Sequence, residues 1–275
     1  MPLSEAHRWR GRRRRLVAVA SVTLALIMAG CASKNQMAES DFSGSLPDAS
    51  AGPEQLQSAT DYWSKKFAQN PADKSAAINL SRMLRAQGKA PQAVLAMRQV
   101  EVQYPRDREV LAELGKGLAE AGRHEDAEQA LVTALAAGEP DWQLLSAHGA
   151  VLDQLRQHKK AREEYARALA LVQNEPSVLN NLGLSYALDR NLPKAEEVLR
   201  KAAEQPQASR EVAENLALIL GLQGKFDDAE QVARTALPEA TVSSNTTYLK
   251  QLLSQPKNWA KLQELEARNK TEKSR

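Results

Sequence analysis

The sequence has little of the chemistry that disulfides, metal clusters and aromatic cores need. Of its 275 residues only one is a cysteine and only 4 % are aromatic. A single cysteine excludes intramolecular disulfides, zinc clusters built from several cysteines and CxxC redox chemistry. The 43 % hydrophobic share consists largely of alanine and leucine, which suits close helix packing better than a β-sandwich. We therefore expect an all-α chain.

A basic surface is also missing from most of the chain. The formal net charge is +3, but six of the 37 lysines and arginines lie before Leu16. Residues 1–30 hold those six and one of the 34 acidic residues, so the remainder carries 31 basic and 33 acidic side chains, a formal charge of −2. This balance disfavours a nucleic-acid partner.

The N-terminus has the three-part pattern of a secretory signal peptide. Six arginines precede an apolar run of 14 residues from Leu16 to Ala29, and small residues follow it. The run is shorter than the roughly 20 residues that span a bilayer. We predict that residues 1–30 are a lipoprotein signal peptide. An ordinary signal peptide with a chance cysteine, or an uncleaved anchor, is the alternative.

The only cysteine lies at the exit of this apolar run. Met28-Ala29-Gly30-Cys31 resembles the bacterial lipobox, with methionine where leucine is more usual. The resemblance implies that Cys31 is diacylated and becomes the lipid-bearing N-terminus, because stable anchoring needs more than one acyl chain. It also implies an outer-membrane location facing the periplasm, since Ala32 replaces the aspartate that retains such lipoproteins elsewhere.

Residues 31–54 contain the lipidated cysteine and a predicted flexible tether. The segment is rich in serine, alanine, glycine and aspartate and lacks apolar periodicity. A flexible coil of this length spans on the order of 26 Å. The folded part can therefore stand away from the membrane.

The rest of the chain repeats with a period of 34 residues. One buried-type position holds only alanine, at Ala93, Ala127, Ala161, Ala195 and Ala229. A second position holds only small residues, at Ser81, Gly115, Gly149, Gly183 and Ala217. This period and this order of small and large residues are typical of the tetratricopeptide repeat (TPR). We predict five repeats over residues 74–243, with the bounds 74–107, 108–141, 142–175, 176–209 and 210–243.

The pattern has a direct physical cause. Each repeat is two antiparallel helices, and a small residue in the first helix lets the second approach closely. Gly88, Gly122 and Gly224 fall at the turn inside a repeat, where a positive φ is easily adopted by glycine. The expected fold is a right-handed superhelical solenoid. A capping helix at residues 55–73 and capping helices with a polar tail at 244–275, including Thr247–Ser254 and Trp259–Asn269, complete it.

No residue set indicates covalent chemistry. His124 and His158 occupy equivalent turn positions and are expected to be exposed, whereas His148 lies where the repeat expects a core leucine and is expected to be a satisfied packing histidine. No HExxH motif, carboxylate pair or phosphate-binding loop accompanies them. We therefore expect no enzyme, catalytic residue, metal, cofactor or small-molecule substrate.

The remaining place for function is the surface lined by the first helices. Its inward positions carry asparagines whose amides can bind an extended peptide backbone; these are Asn79, Asn180, Asn181 and Asn215. They resemble the asparagine ladder of peptide-binding TPR proteins, which Glu113 and Ala147 interrupt here.

Four leucines are predicted on the same side and would bind an apolar partner segment; they are Leu184, Leu188, Leu218 and Leu222. The alternative is that C-terminal residues cover them, namely Tyr248, Leu249, Leu252, Leu253 or Trp259.

Several segments resemble one family of TPR lipoproteins more specifically. These are DYWSKKFAQNP at 61–71, residues 181–206, residues 215–230 and YLKQLLSQPKNW at 248–259. Together with the lipobox they resemble the TadD-type lipoproteins of the tight-adherence (Tad, Flp) pilus. The resemblance implies a protein-binding scaffold or pilot that assembles the pilus secretion machine, with the secretin or neighbouring subunits as partners. A TPR lipoprotein that scaffolds cell-wall or outer-membrane assembly complexes is the alternative.

Overall fold

The computed structural model describes residues 52–139 and 141–254, and over these ranges it contains twelve α-helices and no strand. The all-α prediction is confirmed. The predicted signal peptide, Cys31, nearly all of the tether and the predicted helix Trp259–Asn269 lie outside the described residues.

The twelve helices follow one another with short connections. In chain order they are α1 (Pro53–Gln69), α2 (Lys74–Ala86), α3 (Ala90–Glu101), α4 (Arg108–Glu120), α5 (His124–Ala136), α6 (Trp142–Gln154), α7 (His158–Leu171), α8 (Pro176–Leu188), α9 (Leu192–Ala203), α10 (Arg210–Leu222), α11 (Phe226–Ala233) and α12 (Glu239–Leu253).

Helices α2 to α11 form five hairpins that stack in sequence order. We call α2, α4, α6, α8 and α10 the inner helices, and α3, α5, α7, α9 and α11 the outer helices. Each inner helix packs on its own outer helix, on the outer helix before it and on the neighbouring inner helices, whereas the outer helices pack on inner ones. The inner helices therefore form one continuous row. Each predicted repeat begins at the first residue of an inner helix.

Acidic caps define where most inner helices begin. The carboxylates of Asp73, Asp107 and Asp141 accept hydrogen bonds from backbone N–H groups in the first turn of α2, α4 and α6. Glu175 does the same weakly for α8. An acid at this place satisfies an N–H that has no partner in the helix and interacts favourably with the helix dipole.

Close approach of the two helices in a hairpin depends on the small residue of the inner helix. A Cβ placed on Gly115 would lie 2.6 Å from Leu131 Cγ, and one on Gly183 would lie 2.6 Å from Leu199 Cγ. Gly149 faces the ring of Tyr165 in the same way. All five alanines at the other repeated position are buried. The spacing argument for the packing of the hairpins is therefore confirmed.

The C-terminal end differs from the prediction. Helix α11 has only 8 residues, and α12 begins at Glu239, so the helix predicted from Thr247 begins earlier. Pro238 explains the early start, because proline has no N–H to satisfy and fits the N-terminal end of a helix. Val242 then packs against Ala217 and Ala233. Helix α12 thus covers the end of the stack.

Candidate protein-binding groove

The row of inner helices is the surface on which a partner segment could lie, and we call this row the groove. Its helices run parallel. A residue further along one inner helix contacts a residue further along the next inner helix. Ser81 Oγ donates to Glu113 Oε1 at 3.1 Å, and four residues further along α2 Arg85 reaches Glu120 at 2.6 Å. The groove therefore offers equivalent positions at every step along the stack.

Ion pairs fill the groove at hairpins one and two. The guanidinium of Arg85 donates to Glu113 at 2.7 Å, and Arg82 lies 3.7 Å from the same carboxylate. Burial acts to raise the pKa of Glu113, but the nearby cations Arg85, Lys116 and Arg82 together hold it below its usual range. Glu113 is only 2 % exposed. These charges are paired within the stack, so this half of the groove has little free bonding capacity.

The predicted asparagines of hairpins four and five hydrogen-bond to the neighbouring helices. Asn215 Nδ2 donates to Asn180 Oδ1 at 2.9 Å, and Asn181 Nδ2 donates to Ser146 Oγ at 3.2 Å. Asn181 and Asn215 are half-buried, and Asn180 is buried. Each amide has two N–H donors and an acceptor oxygen. One bond to the stack therefore leaves Asn181 and Asn215 with capacity for a peptide.

Asn79, the first of the predicted asparagines, has different neighbours from the asparagines of α8 and α10. Asn79 is buried in α2, where the neighbouring helix α4 carries Glu113 instead of a further amide. A continuous asparagine ladder is absent from the described inner helices. The amides that face the groove are concentrated in α8 and α10.

Three of the four predicted leucines are partly exposed. Leu188, Leu218 and Leu222 are half-buried, and Leu222 packs at the edge of the apolar cluster around Leu216. Leu184 is only 2 % exposed, which corrects its assignment to an exposed patch.

The C-terminal helix covers part of the same region. A Cβ on Gly221 would lie 2.5 Å from Leu249 Cδ1, so Leu249 packs directly on α10. Tyr248, in contrast, is 54 % exposed. The alternative prediction was that C-terminal residues cover the leucines. In the structure Leu249 covers α10 at Gly221, while Leu188, Leu218 and Leu222 remain partly exposed. For Leu252 and Leu253 the structure describes the helix only.

The histidines differ from the sequence-based expectation. His158 is not a free turn residue, because its Nδ1 lies 2.7 Å from the buried Asp153 Oδ1. His148 is buried as the core position requires, but neither of its ring nitrogens has a hydrogen-bond partner. Its Nδ1 is 3.8 Å from Glu164 Oε1. No hydrogen bond satisfies the ring, in contrast to the expectation, but the ring faces the Glu164 carboxylate at ion-pair distance. His124 is half-buried.

Asp153 is the centre of a buried polar cluster that the sequence did not predict. Besides His158, Ser185 Oγ donates to its Oδ1 at 2.8 Å and Tyr165 Oη donates to its Oδ2 at 3.0 Å. Burial raises the pKa of Asp153, although these hydrogen bonds oppose that shift. The cluster ties α6, α7 and α8 together. The signal in the sequence was an acidic residue in the last turn of an inner helix.

This cluster is not arranged for nucleophilic catalysis. Both hydroxyl groups are held by hydrogen bonds to the Asp153 carboxylate inside the stack. Ser185 and Tyr165 are fully buried, which closes the cluster to a substrate. Across residues 52–139 and 141–254 no group of three or more histidine, cysteine or acidic side chains could hold a metal ion. No helix within these ranges is both long enough and apolar enough to cross a bilayer.

Comparison with known families identifies the repeat. The tetratricopeptide repeat model matches residues 78–141, 112–176, 147–210 and 180–243, which together span more than half of the chain. No curated protein sequence matches the chain.

Solved structures with the same architecture are distant in sequence. The APC/C hetero-tetramer Cut9-Hcn1 superposes with a TM-score of 0.60 at 17 % identity, covering 72 % of this chain and 40 % of that one. A tetratricopeptide repeat protein of Parabacteroides merdae gives 0.58 at 19 % identity, with 73 % and 81 % covered. A thermophilic TPR protein of Thermus thermophilus gives 0.54 at 21 % identity, with 61 % and 91 % covered. At these identities the likeness shows the fold alone.

Proposed function

This chain belongs to the tetratricopeptide repeat family, and from that premise we propose that it is a non-catalytic scaffold in the assembly of a Tad/Flp pilus secretion system. In this proposal it binds a segment of a partner protein along the groove. The supporting observation is the chemistry of hairpins four and five. Half-buried leucines lie there beside amides with spare hydrogen-bonding capacity, namely Leu188, Leu218, Leu222, Asn181 and Asn215.

The two halves of the groove favour different roles. In hairpins one and two, Arg85 bonds both Glu113 and Glu120, and a partner would have to replace these ion pairs. In hairpins four and five, an extended segment can bury apolar side chains on the leucines and bond its backbone to the amides. We therefore place the partner segment on the C-terminal half of the groove.

The proposed site of action is the periplasmic face of the outer membrane. Cys31 and the lipobox pattern support a lipid anchor, and the polar stretch before Pro53 supports a tether. Confinement near the membrane raises the effective concentration of the groove around membrane partners, so modest contacts suffice. The pilus assignment is supported by the resemblance of the segments quoted above. The secretin or a neighbouring subunit is the proposed partner.

A photocrosslink in cells identifies the partner protein and tests whether it binds at the groove. A photoreactive residue replaces Leu222 in the groove, and a matched control replaces exposed Gln99 on the outer helix α3. Capture of a secretin or another pilus-machine subunit from Leu222 but not from Gln99 is expected. Capture of cell-wall or outer-membrane assembly enzymes would favour the alternative scaffold. Capture of only this chain's own C-terminal residues would contradict binding in the groove.

The anchor has a separate test. Cys31→Ala is expected to release the protein from the membrane fraction while leaving its circular dichroism spectrum unchanged, because the described helices begin only at Pro53. Ser33→Ala is the matched control and should remain membrane-bound. Equal membrane retention of the Cys31→Ala protein would contradict the lipoprotein hypothesis without affecting the groove.

A further inference from the structure

A carboxylate at the start of an inner helix is paired with cations in the N-terminal half of the stack. Glu109, the second residue of α4, lies 3.6 Å from Lys74 Nζ and 3.8 Å from Arg82 Nη2. Both cations belong to α2. A side chain at this position of a repeat therefore reaches the preceding inner helix.

Glu211 occupies the same position three repeats later, but the preceding inner helix offers it no cation. It is the second residue of α10. The places of the two α2 cations are taken in α8 by Pro176 and Leu184, and both of these apolar residues are buried. The ion pairs of hairpin two therefore cannot form at Glu211.

The neighbours of Glu211 within α10 do not neutralise it either. Arg210 Nε donates to Glu214 Oε1 at 2.6 Å, so this guanidinium serves another carboxylate. Burial and the charge of Glu214 both raise the pKa of Glu211, and no cation from the described part of the chain opposes that shift. The helix dipole favours an acid in a first turn, but on balance the charge of Glu211 is disfavoured in the stack alone.

Glu211 is in line with the groove residues of α10. Glu211, Asn215, Leu218 and Leu222 follow one another at spacings of four, three and four residues, which places them on one face of the helix. All four are half-buried. Asn215 Nδ2 donates to Asn180 Oδ1 in α8, so this face borders the neighbouring inner helix. It offers an acid, an amide and two apolar side chains in that order.

This order sets a distance between the charge and the apolar contacts. Glu211 and Leu222 are separated by about 16 Å along the helix axis, at a rise of 1.5 Å per residue. An extended peptide covers that distance in about five residues.

We propose that the partner segment carries a lysine or arginine about five residues from an apolar residue, and that this cation pairs with Glu211 while the apolar residue packs on Leu222. The inference rests on the proposed function, because it needs a segment in the groove, and it adds the chemistry of that segment. Charge-assisted hydrogen bonds to a carboxylate are stronger than neutral ones. Glu211 thus selects among apolar segments, since contacts with leucine are non-directional.

The test repeats the photocrosslink at Leu222 in cells, in the parent protein and in a Glu211→Gln background. Glutamine keeps the size of the side chain but carries no charge. We expect the yield of crosslinked partner to fall by about threefold or more, because a charge-assisted bond is lost. The partner peptide that mass spectrometry identifies should contain a lysine or arginine about five residues from the linked residue. The unfolding temperature should not fall, because the amide removes the repulsion from Glu214.

Glu163→Gln is the matched control. Glu163 is exposed on the outer helix α7, so this change removes the same charge outside the groove and should leave the yield at the parent level. A second variant, Glu211→Lys, reverses the charge and should abolish capture. Changing the mapped lysine or arginine of the partner to glutamate should then restore capture by the Glu211→Lys protein.

The outcomes separate this inference from the function on which it rests. Capture from Leu222 at the same yield in the parent and in Glu211→Gln would overturn the role of Glu211 and leave the proposed function intact. A linked partner peptide without a lysine or arginine near that distance would do the same. Failure of the parent protein to capture any partner from Leu222 would contradict the proposed function itself, and this inference with it.

Discussion

Ser185 Oγ donates a hydrogen bond of 2.8 Å to Asp153 Oδ1, across the boundary between hairpins three and four. The apolar core is continuous from α1 into α6 but is divided into smaller clusters beyond it. At this boundary a buried carboxylate with three hydrogen-bond partners adds to the apolar contact that Val178 makes with hairpin three. The stack is therefore joined here by directional bonds, which hold two neighbouring inner helices in one register.

Removing the hydroxyl of Ser185 should weaken this boundary. In Ser185→Ala, Asp153 keeps His158 and Tyr165 but loses one bond to a buried charged group, so we expect a loss of about 1–3 kcal/mol in the free energy of unfolding. Urea unfolding followed by circular dichroism measures it. Ser75→Ala, at an exposed position of α2, is the control and should change stability by less than about 0.5 kcal/mol. Equal stability of the two variants would show that the cluster does not stabilise the stack.

Two glycines in α4 provide a matched test of helix packing. A Cβ on Gly115 would lie 2.6 Å from Leu131 Cγ, whereas one on Gly117 would lie 3.4 Å from Val94 Cγ2. Gly117→Ala should be neutral or stabilise by up to about 1 kcal/mol, because alanine favours the helix. Gly115→Ala gains the same propensity but overpacks the hairpin, at a cost of about 1–3 kcal/mol.

Urea unfolding of both variants compares the two positions directly. Both variants replace glycine by alanine in the same helix, at positions two residues apart. The gain in helix propensity is therefore the same and cancels in the comparison. The difference between them then measures the close approach of α4 and α5. A Gly115→Ala protein as stable as Gly117→Ala would contradict the packing that explains the small residue in every repeat.

These contacts show what a repeat sequence can predict. The 34-residue spacing predicts the buried alanines and the small residues opposite Leu131 and Leu199, because those positions lie at the helix–helix contact in each hairpin. It cannot predict Asp153, since the twelfth position of the repeat has no common chemistry and holds Arg85 in one hairpin and Gly221 in another. It also misplaces Leu184, because its burial depends on which residues the adjacent helices contribute.

The unsatisfied ring of His148 leads to a prediction of increased stability. The other four repeats carry leucine at this position. Both ring nitrogens of His148 are buried without a hydrogen bond, and Nδ1 lies 3.8 Å from Glu164 Oε1. His148→Leu should raise the free energy of unfolding by about 1–2 kcal/mol near neutral pH, because it removes an unpaired buried polar group. Glu164 keeps its ion pair with Arg167 at 2.8 Å.

The same substitution at His158 should have the opposite sign. His158→Leu removes the partner at 2.7 Å from Asp153 and leaves a buried carboxylate with one bond fewer, so this variant should be less stable than the parent. Thermal unfolding of the two variants side by side distinguishes the histidines. A loss of stability in His148→Leu would mean that its contact with Glu164 contributes more than the unpaired nitrogens cost.

Glu196 connects hairpins four and five and should make the stack sensitive to acid. Its carboxylate accepts hydrogen bonds from Lys225 Nζ at 2.6 Å and from Gln223 Nε2 at 2.8 Å, and it pairs with Arg200. Burial acts to raise the pKa of Glu196, but these partners outweigh it and lower the pKa from its ordinary 4.5 to about 2. A lowered pKa in the folded state means that the stabilisation is present above pH 4.5 and is lost as the pH falls toward about 2.

Glu196→Gln should therefore be less stable than the parent near neutral pH, because a neutral amide cannot replace the charged partner of Lys225 and Arg200. The deficit should shrink as the pH falls below 4.5, since the parent then loses the same charge. Urea unfolding of both proteins at a series of pH values measures it. Glu197→Gln is the control, because the side chain of Glu197 is 66 % exposed where it pairs with Lys194, and an exposed pair contributes little. A deficit of constant size from neutral to acid pH would contradict the charge of Glu196 as its cause.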